Sequence, residues 1–139
     1  MTPEQKELVQ SSFAQLKPIS EVAAGLFYET LFERDSKLKQ LFRGDMKEQG
    51  RRLMQMIELA VRGLDRLDEL KPALEALGAR HAGYGVKERD YETVGGAFIA
   101  TLERGLGSAF TPEIRNAWVA VYTLLAATMK AGEKVAQAV

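Results

Sequence analysis

The sequence predicts an all-α fold. Apolar residues recur at helical spacing from end to end, no window sustains strand alternation, and helix-start signatures open the first and last apolar stripes. At the N-terminus Thr2 supplies a capping hydroxyl, Pro3 the first helical residue and Gln5 a capping-box partner. The stripe behind them is Leu8, Val9, Phe13 and Leu16, and Lys17-Pro18 ends it because proline disfavours helical geometry in the residue before it. Ser20 reads as the cap of a second helix with the stripe Val22, Ala23, Leu26, Phe27, Thr30 and Leu31. Ser36 to Phe42 is long enough for one or two turns, and Arg43-Gly44-Asp45 reads as a loop.

A long amphipathic helix follows from about Lys47 to Leu64, striped by Leu53, Met54, Ile57, Ala60, Val61 and Leu64. Leu70, Leu74, Leu77 and His81 then share one helical face, and Gly83 and Gly85 break the chain. Asp90 reads as the cap of a helix bearing Tyr91, Val94, Phe98, Ile99, Leu102 and Leu106. Its interior Gly95-Gly96 pair costs roughly 1 kcal/mol per glycine relative to alanine unless another helix packs closely there. Thr111-Pro112-Glu113 repeats the start signal, and Ile114, Trp118, Val121, Tyr122, Leu125 and Met129 stripe the last helix. With short connections and no internal repeat, residues 1–139 are expected to form a single domain.

Composition narrows the function classes. Hydrophobic residues are 46% and charged residues 27%, a globular balance, while Lys+Arg and Asp+Glu both count 19. Zero net charge without long like-charge runs speaks against nucleic acid as a partner. The absence of cysteine removes disulfides, thiolate metal sites and cysteine nucleophiles. The N-terminus is polar, and the most apolar stretch, Ala117 to Met129, is shorter than the roughly 20 residues of a membrane span. A soluble, cytoplasmic protein with no membrane partner is expected. Phosphate-binding glycine loops, paired-histidine metal helices and nucleophile elbows are missing.

His81 is the one histidine, and it lies on a leucine-lined face. Such a histidine is ordinarily a surface residue or a satisfied core residue, although an imidazole facing apolar surroundings needs a partner for its second nitrogen. A metal held by one histidine and no thiolate is unusual. Haem iron is the exception, because the porphyrin supplies four ligands.

The ordered set Phe27-Tyr28, Leu41-Phe42, Gln49 with Leu53, His81 followed by Gly85-Val86, Tyr91, then Trp118 and Tyr122 resembles bacterial single-domain haemoglobins and the haem domain of flavohaemoglobins. The likeness runs from the first helix through Glu133. It implies a globin fold of six to eight helices around haem b, wedged between the helices that carry Gln49 and His81. By that resemblance His81 is the proximal iron ligand and Phe42 packs on the haem face, while Leu53, Met54, Leu77 and Val86 line an apolar cavity. Tyr28 and Gln49 match a distal pair of hydrogen-bond donors to a bound gas. Tyr91 and Glu133 match a network behind the histidine that raises its donor strength.

Two functions follow from the resemblance. One is reversible binding of dioxygen for storage, delivery or scavenging, with nitric oxide and carbon monoxide as further small ligands. The other is nitric oxide dioxygenase activity giving nitrate, with weak peroxidase activity beside it. No nucleotide-binding fingerprint is present, so turnover would need an external flavin reductase. A gas sensor and a haem-free helical interaction module are the other readings, and a monomer or weak homodimer is expected.

Overall fold

The computed structural model describes residues 1–42, 44–83 and 85–138, with side-chain surroundings given as far as Gly132 and not for Arg43 or Tyr84. Six α-helices account for most of the described residues: α1 (Pro3–Leu16), α2 (Ser20–Arg34), α3 (Met46–Arg62), α4 (Leu67–Gly83), α5 (Glu88–Leu106) and α6 (Pro112–Ala138). Short 3-10 turns connect them at Lys17–Ile19, Ser36–Leu41, Leu64–Arg66 and Gly107–Ala109.

Local chemistry sets the helix ends. The Gln5 amide donates to the Thr2 hydroxyl at 3.1 Å and the Thr2 amide to the Gln5 side-chain oxygen at 3.1 Å, which closes the capping box of α1. Thr111 accepts from the Ile114 amide at 3.2 Å at the start of α6. Two expected caps differ. Ser20 is the first residue of α2 and makes no capping bond. Asp90 sits inside α5, where its carboxylate reaches back and accepts from the Lys87 amide at 2.8 Å. Val22 also leaves the expected stripe, at 61% exposed.

The main core lies among α1, α3, α5 and α6: Val9, Phe13, Leu16, Val61, Leu64, Leu102, Ala117, Trp118 and Val121 are all buried. Trp118 is its centre. Its ring lies 5.6 Å from that of Phe98 and 6.5 Å from that of Phe13, and its indole N–H donates to the Ser12 hydroxyl at 2.8 Å. Burying an indole without that partner would leave its donor unsatisfied, so α1 supplies a serine where periodicity alone would place an apolar residue.

Helices α3 and α4 are joined by a single turn but pack on different neighbours, α3 mainly on α2 and α4 mainly on α6. Glycines permit both approaches. A Cβ at Gly50 would lie 3.0 Å from that of Ala24, so α3 crosses α2 closely there. On α4 a Cβ at Gly78 would fall on the backbone of Met129, and one at Gly132 on the backbone of Glu75. Helices α4 and α6 thus meet main chain to main chain at two points.

Candidate functional site

Among the residues singled out above, Tyr28, Phe42 and Leu53 come together around the end of α2. Tyr28, 7% exposed, belongs to a cluster with Phe27, Leu31, Leu38 and Ala97, against which Phe42 and Leu53 pack. Its ring is 5.3 Å from Phe42, 5.0 Å from Phe27 and 6.1 Å from Phe32. The Tyr28 side chain is hydrogen-bonded to that of Gln49, so the first turns of α3 deliver the amide to the phenol. Burial pushes the Tyr28 hydroxyl up to about 12, and the bond to Gln49 opposes that shift. At neutral pH it is a protonated donor.

Two residues that periodicity did not single out build this corner. Gly50 lets α3 approach α2 closely enough for Gln49 to reach Tyr28. Phe32 lies on the Tyr28 side of α2, and its ring stacks on that of Tyr28 and meets Phe42 edge-on at 5.6 Å. The only signals for them were a glycine following Gln49 and an aromatic four residues after Tyr28.

A second group gathers where α4, α5 and α6 meet. Leu77, Val86 and Tyr122 pack against a buried cluster of Tyr91, Ala126 and Met129. His81, half-buried in the last turn of α4, sets its Nδ1 2.8 Å from the Leu77 carbonyl. With Nδ1 donating, the ring is held in the tautomer whose Nε2 carries the lone pair. Tyr91 is buried, and the Tyr122 hydroxyl donates to its backbone carbonyl at 2.5 Å. The Glu133 side chain lies outside the described residues. Met54 packs against the main core and, with Leu53, lines an internal apolar cavity of about 30 Å³ bounded also by Phe27, Phe98 and Trp118.

These residues suit a flat, largely apolar group with one metal. Leu53, Met54 and Leu77, on two helices that pack away from each other, and Val86, in the connection after the second of them, are only half-buried by the protein itself, and an imidazole with a fixed tautomer is on that second helix. No group of three or more His, Cys, Asp or Glu residues suited to a bare metal ion occurs among the described residues. No helix is long and apolar enough to cross a membrane among those residues.

Comparison with known proteins places the same features in context. The family model described as globin matches residues 25–129. Neuroglobin of Tetraodon nigroviridis is 29% identical over 146 residues, covering 95% of this chain and 92% of that protein. A flavohemoprotein of Bacillus subtilis is 28% identical over 123 residues, covering 86% of this chain. The match takes up 31% of that longer protein. Among solved structures, an engineered carbene transferase built on a nitric oxide dioxygenase candidate of Rhodothermus marinus superposes with a TM-score of 0.89 at 24% identity, covering 99% of this chain and 96% of its own. A bacterial globin from Campylobacter jejuni gives 0.84 at 23%, covering 96% of each chain.

Proposed function

This chain belongs to the globin family, and from that premise we propose that it holds haem b through His81 and binds dioxygen reversibly at a five-coordinate iron. As a globin it binds haem, and when bound that group supplies an iron with a coordination position open to a diatomic gas. The chain's own residues hold and tune it. The Leu77 carbonyl orients the His81 ring through Nδ1, and Nε2 would be the atom that holds the iron. Phe42, Leu53, Met54, Leu77 and Val86 would provide apolar walls that keep water away, and in this reading Tyr91 and Glu133 are assigned the role of strengthening the histidine as a donor. Tyr28 and Gln49 serve the other side as hydrogen-bond donors to the bound gas.

The observation that carries this reading is the pairing of buried Tyr28 with half-buried Gln49. A phenol and an amide on one small patch, walled by three aromatic rings, give a polar diatomic two donors in otherwise apolar surroundings. A purely structural tyrosine would need one acceptor and no second donor. The whole chain acts as one domain, in a reducing cytoplasm that suits a protein without cysteine.

A second reading is favoured by the flavohemoprotein relatives and the Rhodothermus structure. In it the same site converts nitric oxide and dioxygen, with one electron, to nitrate. The electron comes from a separate flavin reductase.

The absorbance spectrum of the purified protein tests the common premise. An intense Soret band that shifts with carbon monoxide is expected, and His81→Ala should lose the haem or change its coordination state. An unchanged spectrum in that variant would exclude His81 as ligand.

A further inference from the structure

In the group of residues that includes His81, a lysine lies over an aromatic ring. Nζ of Lys130 is 5.3 Å from the centre of the Tyr91 ring, within the range of a cation–π contact. Tyr91 is buried and Lys130 half-buried, and Lys130 makes no ion pair with another described residue. A lysine on a helix surface ordinarily carries its head out into water. Here the ring face holds the ammonium against the protein. Two contacts tie that charge to His81. Leu77, whose carbonyl lies 2.8 Å from the His81 Nδ1, packs against the cluster of Tyr91, Ala126 and Met129. A Cβ on Gly78 would fall on the backbone of Met129, the residue before Lys130. Lys130 therefore leaves α6 at the level of residues 77 and 78 of α4, and His81 follows within one turn, roughly 4.5 Å of helix rise. With close-packed helix axes about 8 Å apart, the ammonium is on the order of 10 Å from the imidazole.

We infer that Lys130 sets the reduction potential of the haem: its ammonium, fixed on the Tyr91 ring, favours ferrous iron through its charge. The inference rests on the reading that His81 holds the iron. Ferric haem carries one more positive charge than ferrous haem, so a cation nearby disfavours the ferric form. A histidine made a stronger donor acts in the opposite direction. Lys130 therefore offsets that donor and keeps the iron in the state that takes dioxygen. At about 10 Å and an effective dielectric constant of about 20, one charge changes the ferrous-to-ferric ratio by about tenfold, or about 59 mV for one electron.

A redox titration of the haem-loaded protein, followed by absorbance, tests this through a series in charge. Lys130→Arg should keep the ferrous-to-ferric ratio at a fixed potential within about twofold of the starting protein. Lys130→Met should lower that ratio about tenfold and Lys130→Glu about a hundredfold, since the second change removes one charge and adds its opposite. Lys71→Met is the control. Lys71 is exposed on α4, roughly 15 Å of helix before His81, so solvent and salt screen it and the ratio should change by less than about twofold. Resonance Raman of the ferrous form separates charge from packing. With the Nδ1 contact to Leu77 left in place, the iron–histidine stretching band should stay at one frequency throughout the series. Equal midpoints in Lys130→Met and the starting protein would overturn the inference. So would a Lys130→Arg midpoint as low as that of Lys130→Met, or a fall in midpoint accompanied by a shifted iron–histidine band. Failure of the proposed function is a separate result, an unchanged spectrum in His81→Ala.

Discussion

At the scale of the residue, Tyr28 holds the most chemistry in the least space. Removing its hydroxyl while keeping its ring leaves the packing against Phe27, Phe32 and Phe42 nearly intact. Tyr28→Phe should therefore report on the donor alone. A hydrogen bond to a partly charged acceptor contributes about 1.5–3 kcal/mol, so dioxygen dissociation should accelerate roughly tenfold to a hundredfold. The pH dependence follows from the same group. Burial raises its ionisation to about 12, so the phenol remains a donor at every pH below that, and a tyrosinate cannot donate. Dissociation measured by stopped flow should be flat from neutrality to about pH 10 and rise only toward 12. In Tyr28→Phe it should be fast throughout and lack that alkaline rise. A variant with unchanged dissociation would remove Tyr28 from the ligand's surroundings.

At the scale of the element, α4 is positioned by what its contacts lack. Gly78 is its single buried residue, three positions before His81, and it rests on the main chain of α6. Its leucines stay half-exposed, and Pro72 removes one donor from the helix's own ladder. The two glycine contacts set how closely α4 lies against α6. Gly78→Ala must push the two backbones apart, at a cost of about 1–3 kcal/mol, and should lower Tm by roughly 3–10 °C. Gly25→Ala is the matched comparison. It too is a glycine within a helix, yet nothing lies within 4 Å of where its Cβ would go. There the helix propensity of alanine acts alone, and Tm should rise by a few degrees. Thermal unfolding of the pair separates close packing from propensity.

At the scale of the molecule, the question is whether the site carries gas or turns it over. Converting nitric oxide and dioxygen to nitrate consumes an electron per cycle, and the flavohemoprotein relatives are about three times as long as the part this chain matches. With a flavin reductase and NADH supplied, nitric oxide consumption followed by electrode should continue well beyond one equivalent per haem if the chain is a dioxygenase. As a dioxygen carrier it should give a single burst of one equivalent and stop. The burst is the outcome expected of the function proposed above.

The sequence by itself determined the elements. Capping signals at Thr2 and Thr111, the break at Gly83 and Gly85, and stripes at helical spacing are local, and local free energy sufficed to place six helices within a few residues of their ends. It also brought His81 forward, because a lone imidazole on an apolar face is visible without neighbours, whereas Tyr28 came forward only through the resemblance to bacterial haemoglobins. The tertiary structure decided what those residues meet. That Gln49 bonds to Tyr28 depends on Gly50 lying against Ala24, a contact between residues far apart in the chain that no periodicity encodes. That Nδ1 of His81 turns to the Leu77 carbonyl is a choice among acceptors made by the ring's surroundings. The same holds for Gly95 and Gly96, which read as a cost to α5 until Tyr122 and Arg34 are seen lying against them. Helical periodicity is written one turn at a time, whereas a site is made where turns from different helices come within van der Waals reach.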